Sequence, residues 1–409
     1  MSVHDLQHVE GQDIEETHFV IQHDWLQAFR DVEKQKARNV IDEDEDAEIP
    51  EPTFFVGKRG PNQERCDYST VYADPLMENF DVEQQFKVVN YNAEDRSITL
   101  KDLHSDIETT FYSRKLHFFG PHKSALLSID GTEQAHYFVS SDEAGKVLLW
   151  NATKVGETNV LREVNGHLMD VNVCRFFPNG GILLTGGMDM SVRVWSIMET
   201  PVENVCTFVG HQKSITDLAI IDVGKEVLSA SKDGTVRRWR CAGEQCIQTY
   251  QLDAGSAKAI CLIPSKEAFA VACENNAVVV CSYKTGAPET LMRFRLNETF
   301  RPSALTIVND QFLVVGSENG SLAVIDMESK ALIKLINTKR NEVTCLKAIP
   351  EKELVAASFD DGSMVFYSYT TFKPLIELCN DTETVRDFVY VHSKFYTACR
   401  DGVVRMFTI

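Results

Sequence analysis

Two sets of side chains in this sequence combine a histidine, a hydroxyl and a carboxylate, which are the groups of a nucleophilic catalytic triad. Each set lies in a 30-residue segment that opens with Gly-His and closes with Trp, and the two segments start 44 residues apart. One active site needs one such set, so two copies at a repeat spacing indicate an architectural role. The sets are His167, Thr185 and Asp189, closed by Trp195, and His211, Ser229 and Asp233, closed by Trp239.

The closing frame of these segments recurs along the chain, with apolar residues alternating as in a β-strand. Seven frames are present, and their closing residues are separated by 45, 44, 42, 44, 42 and 40 positions. Seven copies at this period predict an all-β fold, a seven-bladed β-propeller with four strands in each blade. The closing residues are Trp150, Trp195, Trp239, Cys281, Ile325, Tyr367 and Phe407.

The frame resembles the WD repeat, most strongly in the second and third blades, although no copy contains the Trp-Asp dipeptide. The resemblance implies that the opening His, the hydroxyl, the turn Asp and the closing Trp of these blades form a hydrogen-bonded relay. Such a relay would satisfy a buried carboxylate, which otherwise costs several kcal/mol. Blades four to seven lack the histidine, and we expect their turn residues to serve turn geometry; these are Asn275, Asn319, Asp361 and Asp401.

A segment before the first repeat is predicted to close the ring. The chain stops two residues after the last closing position, which leaves the seventh blade without an outer strand. The segment from Phe111 to Phe118 is strand-like and precedes Gly-Pro-His. We expect it to complete the last blade, so that the ring keeps no open sheet edge.

The residue before the turn Asp is expected to face the wide mouth of the propeller, where WD propellers often bind partners. In blades four, five and six this residue is an acid, and basic residues flank the three. The sector could recognise a basic protein surface, or it could be a solvated rim of mixed charge. Around the ring the candidate partner-binding residues are Glu143, Met188, Lys232, Glu274, Glu318, Asp360 and Arg400.

The first 52 residues carry 15 acidic and four basic residues, more than half of the net charge of −19. Residues 1–18 are predicted to be a disordered acidic tail, and 42–52 an acidic linker. Between them a helix at about 24–40 places Trp25, Phe29 and Val32 or Val40 on one side. This side packs on an N-terminal module or the propeller flank, or it forms a detachable partner-binding helix. A hairpin around Asn-Ala-Glu-Asp completes an α+β module at 19–105, before the propeller at 106–409.

The composition argues against several function classes. The acidic balance without a basic patch excludes nucleic acid and anionic lipid as expected partners, and no apolar run is long enough for a bilayer. Most of the 11 cysteines lie in apolar strand-like runs, as in a reducing compartment. Cys241 and Cys246 lack zinc-ligand spacing. We expect no metal, no cofactor and no enzyme activity.

Four segments carry a closer resemblance: IQHDWLQAFR, GHLMDVNVCRFFPNGGILLTGGMD, SASKDGTVRRW and FYTACRDGVVR. They are similar to the proteasomal ATPase-associated factor family from about Val20 to the C-terminus. The resemblance implies a cytoplasmic and nuclear chaperone of the proteasome regulatory particle, monomeric on its own. It would bind the C-terminal domain of a free AAA ATPase subunit and leave as the holoenzyme forms. A general WD adaptor, either a ubiquitin-ligase substrate receptor or an RNA-processing scaffold, is the alternative.

Overall fold

The computed structural model of the chain describes residues 3–5, 13–14, 18–41, 51–60, 63, 65–73, 80–82, 85–118, 121–132, 137–152, 160–198, 202–284, 288–379 and 383–409. In these ranges strands dominate and are grouped in eight sheets. Within the same ranges, the one α-helix is neither long enough nor apolar enough to cross a membrane.

The N-terminal part contains ten short strands and one helix among its described residues. They are β1 (Val3–Asp5), β2 (Asp13–Ile14), β3 (His18–Ile21), α1 (Trp25–Ile41), β4 (Thr53–Arg59), β5 (Asp67–Ala73), β6 (Phe80–Val82), β7 (Phe86–Asn92), β8 (Ser97–Asp102), β9 (Glu108–Ser113) and β10 (Leu116–Phe118).

Seven four-stranded antiparallel units follow, called blades one to seven, and each runs from an inner to an outer strand. Blade one has β11 (Leu126–Thr132), β12 (Tyr137–Asp142), β13 (Val147–Asn151) and β14 (Val160–Val164). Blade two has β15 (Val173–Phe176), β16 (Ile182–Gly186), β17 (Val192–Ser196) and β18 (Glu203–Phe208). Blade three has β19 (Ile215–Ile221), β20 (Glu226–Ser231), β21 (Thr235–Arg240) and β22 (Gln245–Gln251). Blade four has β23 (Ala257–Ile263), β24 (Ala268–Cys273), β25 (Ala277–Ser282) and β26 (Glu289–Arg295).

The remaining blades repeat the pattern. Blade five has β27 (Pro302–Val308), β28 (Phe312–Ser317), β29 (Ser321–Asp326) and β30 (Ala331–Asn337). Blade six has β31 (Val343–Ile349), β32 (Leu354–Phe359), β33 (Met364–Ser368) and β34 (Pro374–Cys379). Blade seven has β35 (Val385–Val391), β36 (Lys394–Cys399) and β37 (Val404–Thr408), with β10 as its fourth strand. Short 3₁₀ turns at Pro264–Lys266 and Pro350–Lys352 join inner to second strands in blades four and six.

The blades form a closed ring. Each inner strand contacts the inner strand of the next blade, and β35 of blade seven contacts β11 of blade one. Most residues of the middle strands are buried because every blade lies between two others; all six residues of β24 and of β25 are buried. The seven-bladed WD40-type β-propeller predicted from the repeat is therefore the fold.

The closure of the ring differs in part from the prediction. Leu116–Phe118 pairs antiparallel with β37 and completes blade seven. Phe111 instead lies in β9, which pairs parallel with β34 of blade six through residues 110–113. The predicted strand is thus two strands that serve different blades. The division has a physical reason, because Phe111 is fully buried in the apolar core of the N-terminal part and cannot also face blade seven.

The N-terminal part is joined to the propeller by shared sheets. Strands β7 and β8 form the predicted hairpin, and with β9 they extend blade six to seven strands. This sheet runs across the domain boundary that the sequence predicts between residues 105 and 106. Strands β3 to β6 form a separate sheet, and α1 packs Trp25 and Phe29 against its Phe54. The apolar side of the helix thus packs on the N-terminal module, the first of the two alternatives.

Within the predicted disordered tail at 1–18, the described residues 3–5 and 13–14 are strands. Strand β1 pairs parallel with β26 of blade four, and β2 pairs parallel with β30 of blade five. An open sheet edge presents free N–H and C=O groups, which explains how such short segments can dock there. Most of the predicted linker, residues 42–50, lies outside the described residues.

Candidate protein-binding face

The structure brings together all four residues of each predicted relay. In blade two, His167 Nδ1 lies 3.0 Å from Asp189 Oδ2, and His167 Nε2 lies 2.7 Å from Thr185 Oγ1. Trp195 Nε1 donates to the same hydroxyl at 2.8 Å. The strands position these groups, because Thr185 lies on β16 and Trp195 on the neighbouring β17.

Blade three repeats this arrangement with a serine. His211 contacts Asp233 Oδ2 at 2.8 Å and Ser229 Oγ at 2.7 Å, and Trp239 Nε1 donates to Ser229 Oγ at 2.8 Å. The Asp233 carboxylate also accepts from the backbone N–H of Gln212 and of Thr235. It therefore joins the loop that enters the blade to the turn between its second and third strands.

A third relay in blade one was missed by the sequence analysis. His122 contacts Asp142 Oδ2 and Ser140 Oγ, both at 2.7 Å, and Trp150 Nε1 donates to Ser140 Oγ at 2.7 Å. The aspartate stands eight residues before the closing Trp, not six, which hid the match. The other spacings could have revealed this relay. In all three blades the hydroxyl residue follows the histidine by 18 positions, and the Trp follows the hydroxyl residue by ten.

The relay hydroxyls are not placed for nucleophilic catalysis. Ser140, Thr185 and Ser229 are each 0% exposed, and each hydroxyl oxygen already accepts from a Trp indole. A substrate carbonyl has no approach to an oxygen without exposed surface. The relays are thus internal supports of the blades.

The relays hold their carboxylates in the charged form. Burial alone would raise the pKa of Asp189, but hydrogen bonds from His167 and Ser191 lower it to about 2. The pKa of Asp233 is about 2 for the same kind of reason, with donors from Gln212, Thr235 and His211. Burial lowers the pKa of His211, which keeps this imidazole neutral near neutral pH.

The candidate partner-binding residues all lie on one end of the ring, called here the upper rim. It comprises the turns between second and third strands and the loops that enter each inner strand. Among the candidates Glu318 and Asp360 are partly buried, and the others are exposed, namely Glu143, Met188, Lys232, Glu274 and Arg400. Hydrogen bonds between loop and turn hold the rim together, such as Lys232 N to Ser214 O at 3.0 Å.

The three acids of blades four to six differ in their surroundings. Glu318 lies 3.0 Å from Lys258 Nζ and 3.8 Å from Arg301, so its charge is largely compensated. Asp360 accepts from the hydroxyl of Thr384, and Glu274 from the backbone N–H of Ser256. Two of the three carboxylates therefore have no cation within ion-pair distance among the described residues.

A fourth acid of this sector, Glu342, was not found from the sequence. Burial raises its pKa, and the nearby Glu318 and Asp360 raise it further, against Lys258 and Arg386. A carboxyl group whose pKa is raised by neighbouring charges lies in a region of negative electrostatic potential. The acidic sector is defined from here on as Glu274, Glu318, Glu342 and Asp360.

Below the rim, the inner strands enclose a central channel with a cavity of about 310 Å³. Asp387 of blade seven lines this cavity, 2.7 Å from Lys347 Nζ and 3.2 Å from Arg175 Nη1. Burial alone would raise the pKa of Asp387, but these two cations lower it strongly. The carboxylate also accepts from Ser128 Oγ at 2.8 Å, which links blade seven to blade one.

Two other channel carboxylates form links between neighbouring blades. Asp130 of blade one accepts from Phe176 N of blade two at 2.7 Å, and Asp217 of blade three accepts from Ile260 N of blade four at 3.0 Å. The channel carboxylates therefore hold neighbouring blades together, a role that was not predicted from the sequence. No group of three or more His, Cys, Asp or Glu in the described part of the chain could hold a metal ion.

The comparisons with known proteins agree with the fold. The family described as WD domain, G-beta repeat matches residues 158–196 and 202–240, which include the relays of blades two and three. A CCR4-associated factor 4 homolog from Candida glabrata is 33% identical over 26% of this chain and 19% of its own length. A striatin homolog from Dictyostelium discoideum is 24% identical over 72% of this chain and 40% of its own length.

One relative is named for the proteasome. The 26S proteasome regulatory subunit RPN14 of Saccharomyces cerevisiae is 29% identical over 22% of this chain and 22% of its own length. Ribosome-biogenesis and pre-mRNA-processing proteins also match in part. The matches to the first relatives span between 11% and 40% of those proteins' lengths. Together these findings show a WD-repeat protein scaffold.

Proposed function

We propose that this WD-repeat scaffold binds a free AAA ATPase subunit of the proteasome regulatory particle and acts as its assembly chaperone. The acidic sector on blades four to six carries the proposal, because it offers a preformed negative surface for a basic protein face. In this proposal the ATPase presents its C-terminal domain to the upper rim, in the cytoplasm and nucleus. The chain leaves before the holoenzyme is complete.

The charges of the acidic sector are better suited to guiding a partner protein to the rim than to binding it tightly. Glu274 and Asp360 have no cation within ion-pair distance among the described residues, while Glu318 is compensated by Lys258 and Arg301. Charges at a rim raise the association rate and orient the partner more than they increase affinity. A chaperone that must release its partner needs this balance, with an interface of standard size.

The relatives support the proposal and also a second candidate. The proteasome subunit among them matches a fifth of the chain at 29% identity, while a ribosome-biogenesis protein and a pre-mRNA-processing protein match parts of it at 29% and 33%. A general WD adaptor is therefore the second candidate function. Both candidates use the same rim, so the identity of the bound protein distinguishes them.

The proposal is tested by binding of the purified chain to individual recombinant proteasomal ATPase subunits and to core particle. We expect one ATPase to bind and the core particle not to bind. Changing Glu274, Glu318 and Asp360 together to Lys should weaken binding at least about fivefold at low salt, with an unchanged melting temperature. The control changes Glu203, Glu289 and Glu351 to Lys, three exposed acids at the opposite end of the ring.

Two results would count against the proposal. Binding of intact core particle as strongly as of an ATPase would indicate a resident subunit. Binding to no proteasome subunit would favour the adaptor. Equal weakening by both triple variants would remove the acidic sector from the proposal, because only net charge would then matter.

A further inference from the structure

The upper rim of blade two carries a cluster of exposed apolar side chains, called here the blade-two patch. It consists of Leu168 (88% exposed), Met169 (47%), Met188 (47%) and Met190 (41%). Loop and turn are held side by side, because Met188 N donates to Asp170 O at 2.8 Å. Large apolar side chains grouped on a surface commonly mark an interaction site.

Met190 occupies a backbone position that is unfavourable for methionine. It stands five residues before the closing residue of blade two and has φ of 64°. The same position in the other six blades is glycine or asparagine, always with positive φ: Gly145, Gly234, Asn276, Gly320, Gly362 and Gly402. Glycine adopts this left-handed conformation without steric cost, whereas a methionine is strained in it.

No packing role accounts for this strain. Met190 is 41% exposed, and the hydrophobic core of blade two, built from Val173, Leu184, Val192 and Phe208, does not include it. Strained backbone that the core does not need is found at functional sites. Methionine is also the side chain best able to adapt to an apolar partner surface.

The charges beside the patch indicate what kind of segment fits. Lys213 and Lys232 are exposed on the rim of blade three, and the loop of Lys213 lies against blade two, since Ile215 N donates to Gly187 O at 3.1 Å. On the other side, the exposed Glu143 belongs to blade one. Carboxylates on a bound segment would be attracted toward blade three and repelled from blade one.

We propose that the blade-two patch is a docking site for an amphipathic segment of a partner protein. The segment presents apolar side chains to Leu168 and the three methionines, with carboxylates on the side that faces Lys213 and Lys232. The inference rests on the fold and these exposed residues, and it does not require the partner to be an ATPase. It adds to the upper rim an apolar contact that the acidic sector, which begins two blades further around the ring, does not supply.

The test uses the full chain labelled with ¹³C at its methionine methyl groups and observed by NMR. The probe is a capped helical peptide of about 16 residues with leucine at i, i+3, i+4 and i+7 and glutamate beside this stripe. We expect saturable shifts of the methyl signals of Met169, Met188 and Met190. Met198 is the internal control, because it is 69% exposed but lies outside the patch, against Gly181.

Variants separate a binding role from a structural one. Met190→Gly should weaken probe binding at least about fivefold while the melting temperature is unchanged or higher, because the strain is relieved. Met198→Ser should leave binding unchanged. Lys213→Glu with Lys232→Glu should weaken the glutamate probe and strengthen the same peptide with lysine in place of glutamate.

Three outcomes would overturn the proposal. Equal binding of both peptides to the unmodified chain would show an apolar surface without the assigned charge preference. Shifts of the same methyl groups with protein concentration alone would show that a second copy of the chain covers the patch. Absence of any shift at millimolar probe would show that the patch is not a docking site. The variant with Glu318→Lys and Asp360→Lys keeps Glu274, whose charge interacts with Lys213, and should leave probe binding intact. Failure here and failure of the proposed function are therefore distinguishable.

Discussion

Blades one to three and blades four to six share the four-stranded pattern but are stabilised by different contacts. Each of the first three contains a buried relay of His, Asp, hydroxyl and Trp. At the position of the relay hydroxyl, blades four to six have Val271, Val315 and Ala357, all fully buried. Without a buried hydroxyl and carboxylate, these blades need no donor from a histidine.

The outer edges of the two groups of blades also differ, because only blades four to six have an additional strand beyond the fourth. Strands β14, β18 and β22 of blades one to three pair with no further strand among the described residues. Blades four, five and six each gain a parallel strand, which is β1, β2 and β9 respectively. A blade can therefore be stabilised from within by a polar network or from outside by a strand that covers its edge.

The largest loss of stability is expected in β9, the strand that covers the outer edge of blade six and contributes Phe111 to the core of the N-terminal part. Phe111 is fully buried, and on the same strand Tyr112 packs against the core between blades six and seven. Phe111→Ala should lower the free energy of unfolding by about 3–5 kcal/mol because it leaves a cavity in that core. Chemical denaturation followed by circular dichroism measures the loss.

Leu161 provides the matched control on the open edge of blade one. It lies on β14 and is exposed, so Leu161→Ala should cost less than about 1 kcal/mol. Equal losses in the two variants would mean that the strand over blade six is not a source of stability.

The next effect concerns the internal support of blade three. Asp233→Ala removes four hydrogen bonds from a nearly buried carboxylate and should destabilise the protein by about 2–4 kcal/mol. Asn275→Ala changes the corresponding turn of blade four, where no histidine is present, and should cost less than about 1 kcal/mol. Thermal or urea unfolding compares the two. If Asn275→Ala lowered the free energy of unfolding as much as Asp233→Ala, the relay of blade three would not be a special source of stability.

The smallest effect is the acid sensitivity of the relay blades. The pKa of His211 is lowered in the folded protein, so below about pH 6.5 the unfolded chain binds the proton first and stability falls. Protonation of His211 in the unfolded chain should therefore lower the free energy of unfolding as the pH falls from 7.5 to 5.5. The lowered pKa of Asp233 adds a further loss only below about pH 4, as the pH falls toward about 2.

Urea unfolding at several pH values isolates the histidine contribution. His211→Gln lowers stability overall, but its stability should depend less on pH between 7.5 and 5.5 than that of the unmodified chain. His23→Gln, at an exposed histidine outside the relays, is the control for the substitution itself. Identical slopes for all three proteins would rule out a neutral buried His211.

Much of the fold could be predicted because its causes are local and repeated. The closing frames, the Gly-His openings and the turn residues recur at one period, and each reflects a requirement within one blade. The relays of blades two and three follow from the same spacing. The relay of blade one escaped because Asp142 reaches its histidine from the end of a strand, two positions earlier than in the other blades.

The candidate site was only partly predictable. The sequence places seven residues on one rim, and the structure places them there. It also pairs Glu318 with Lys258, which is 60 residues away, and adds Glu342 to the sector. The contribution of the methionines on blade two becomes visible only with the backbone angle of Met190 and the exposure of its neighbours.

The sequence by itself therefore determined the number of blades, their strands and the turns of the upper rim, because periodic burial and turn chemistry act over a few residues. Tertiary structure decided which edges the N-terminal strands cover and how the ring is clamped. Asp387 meets Ser128 across 259 residues and Arg175 across 212. Such contacts depend on which strands become neighbours when the ring closes, and no local pattern encodes that choice.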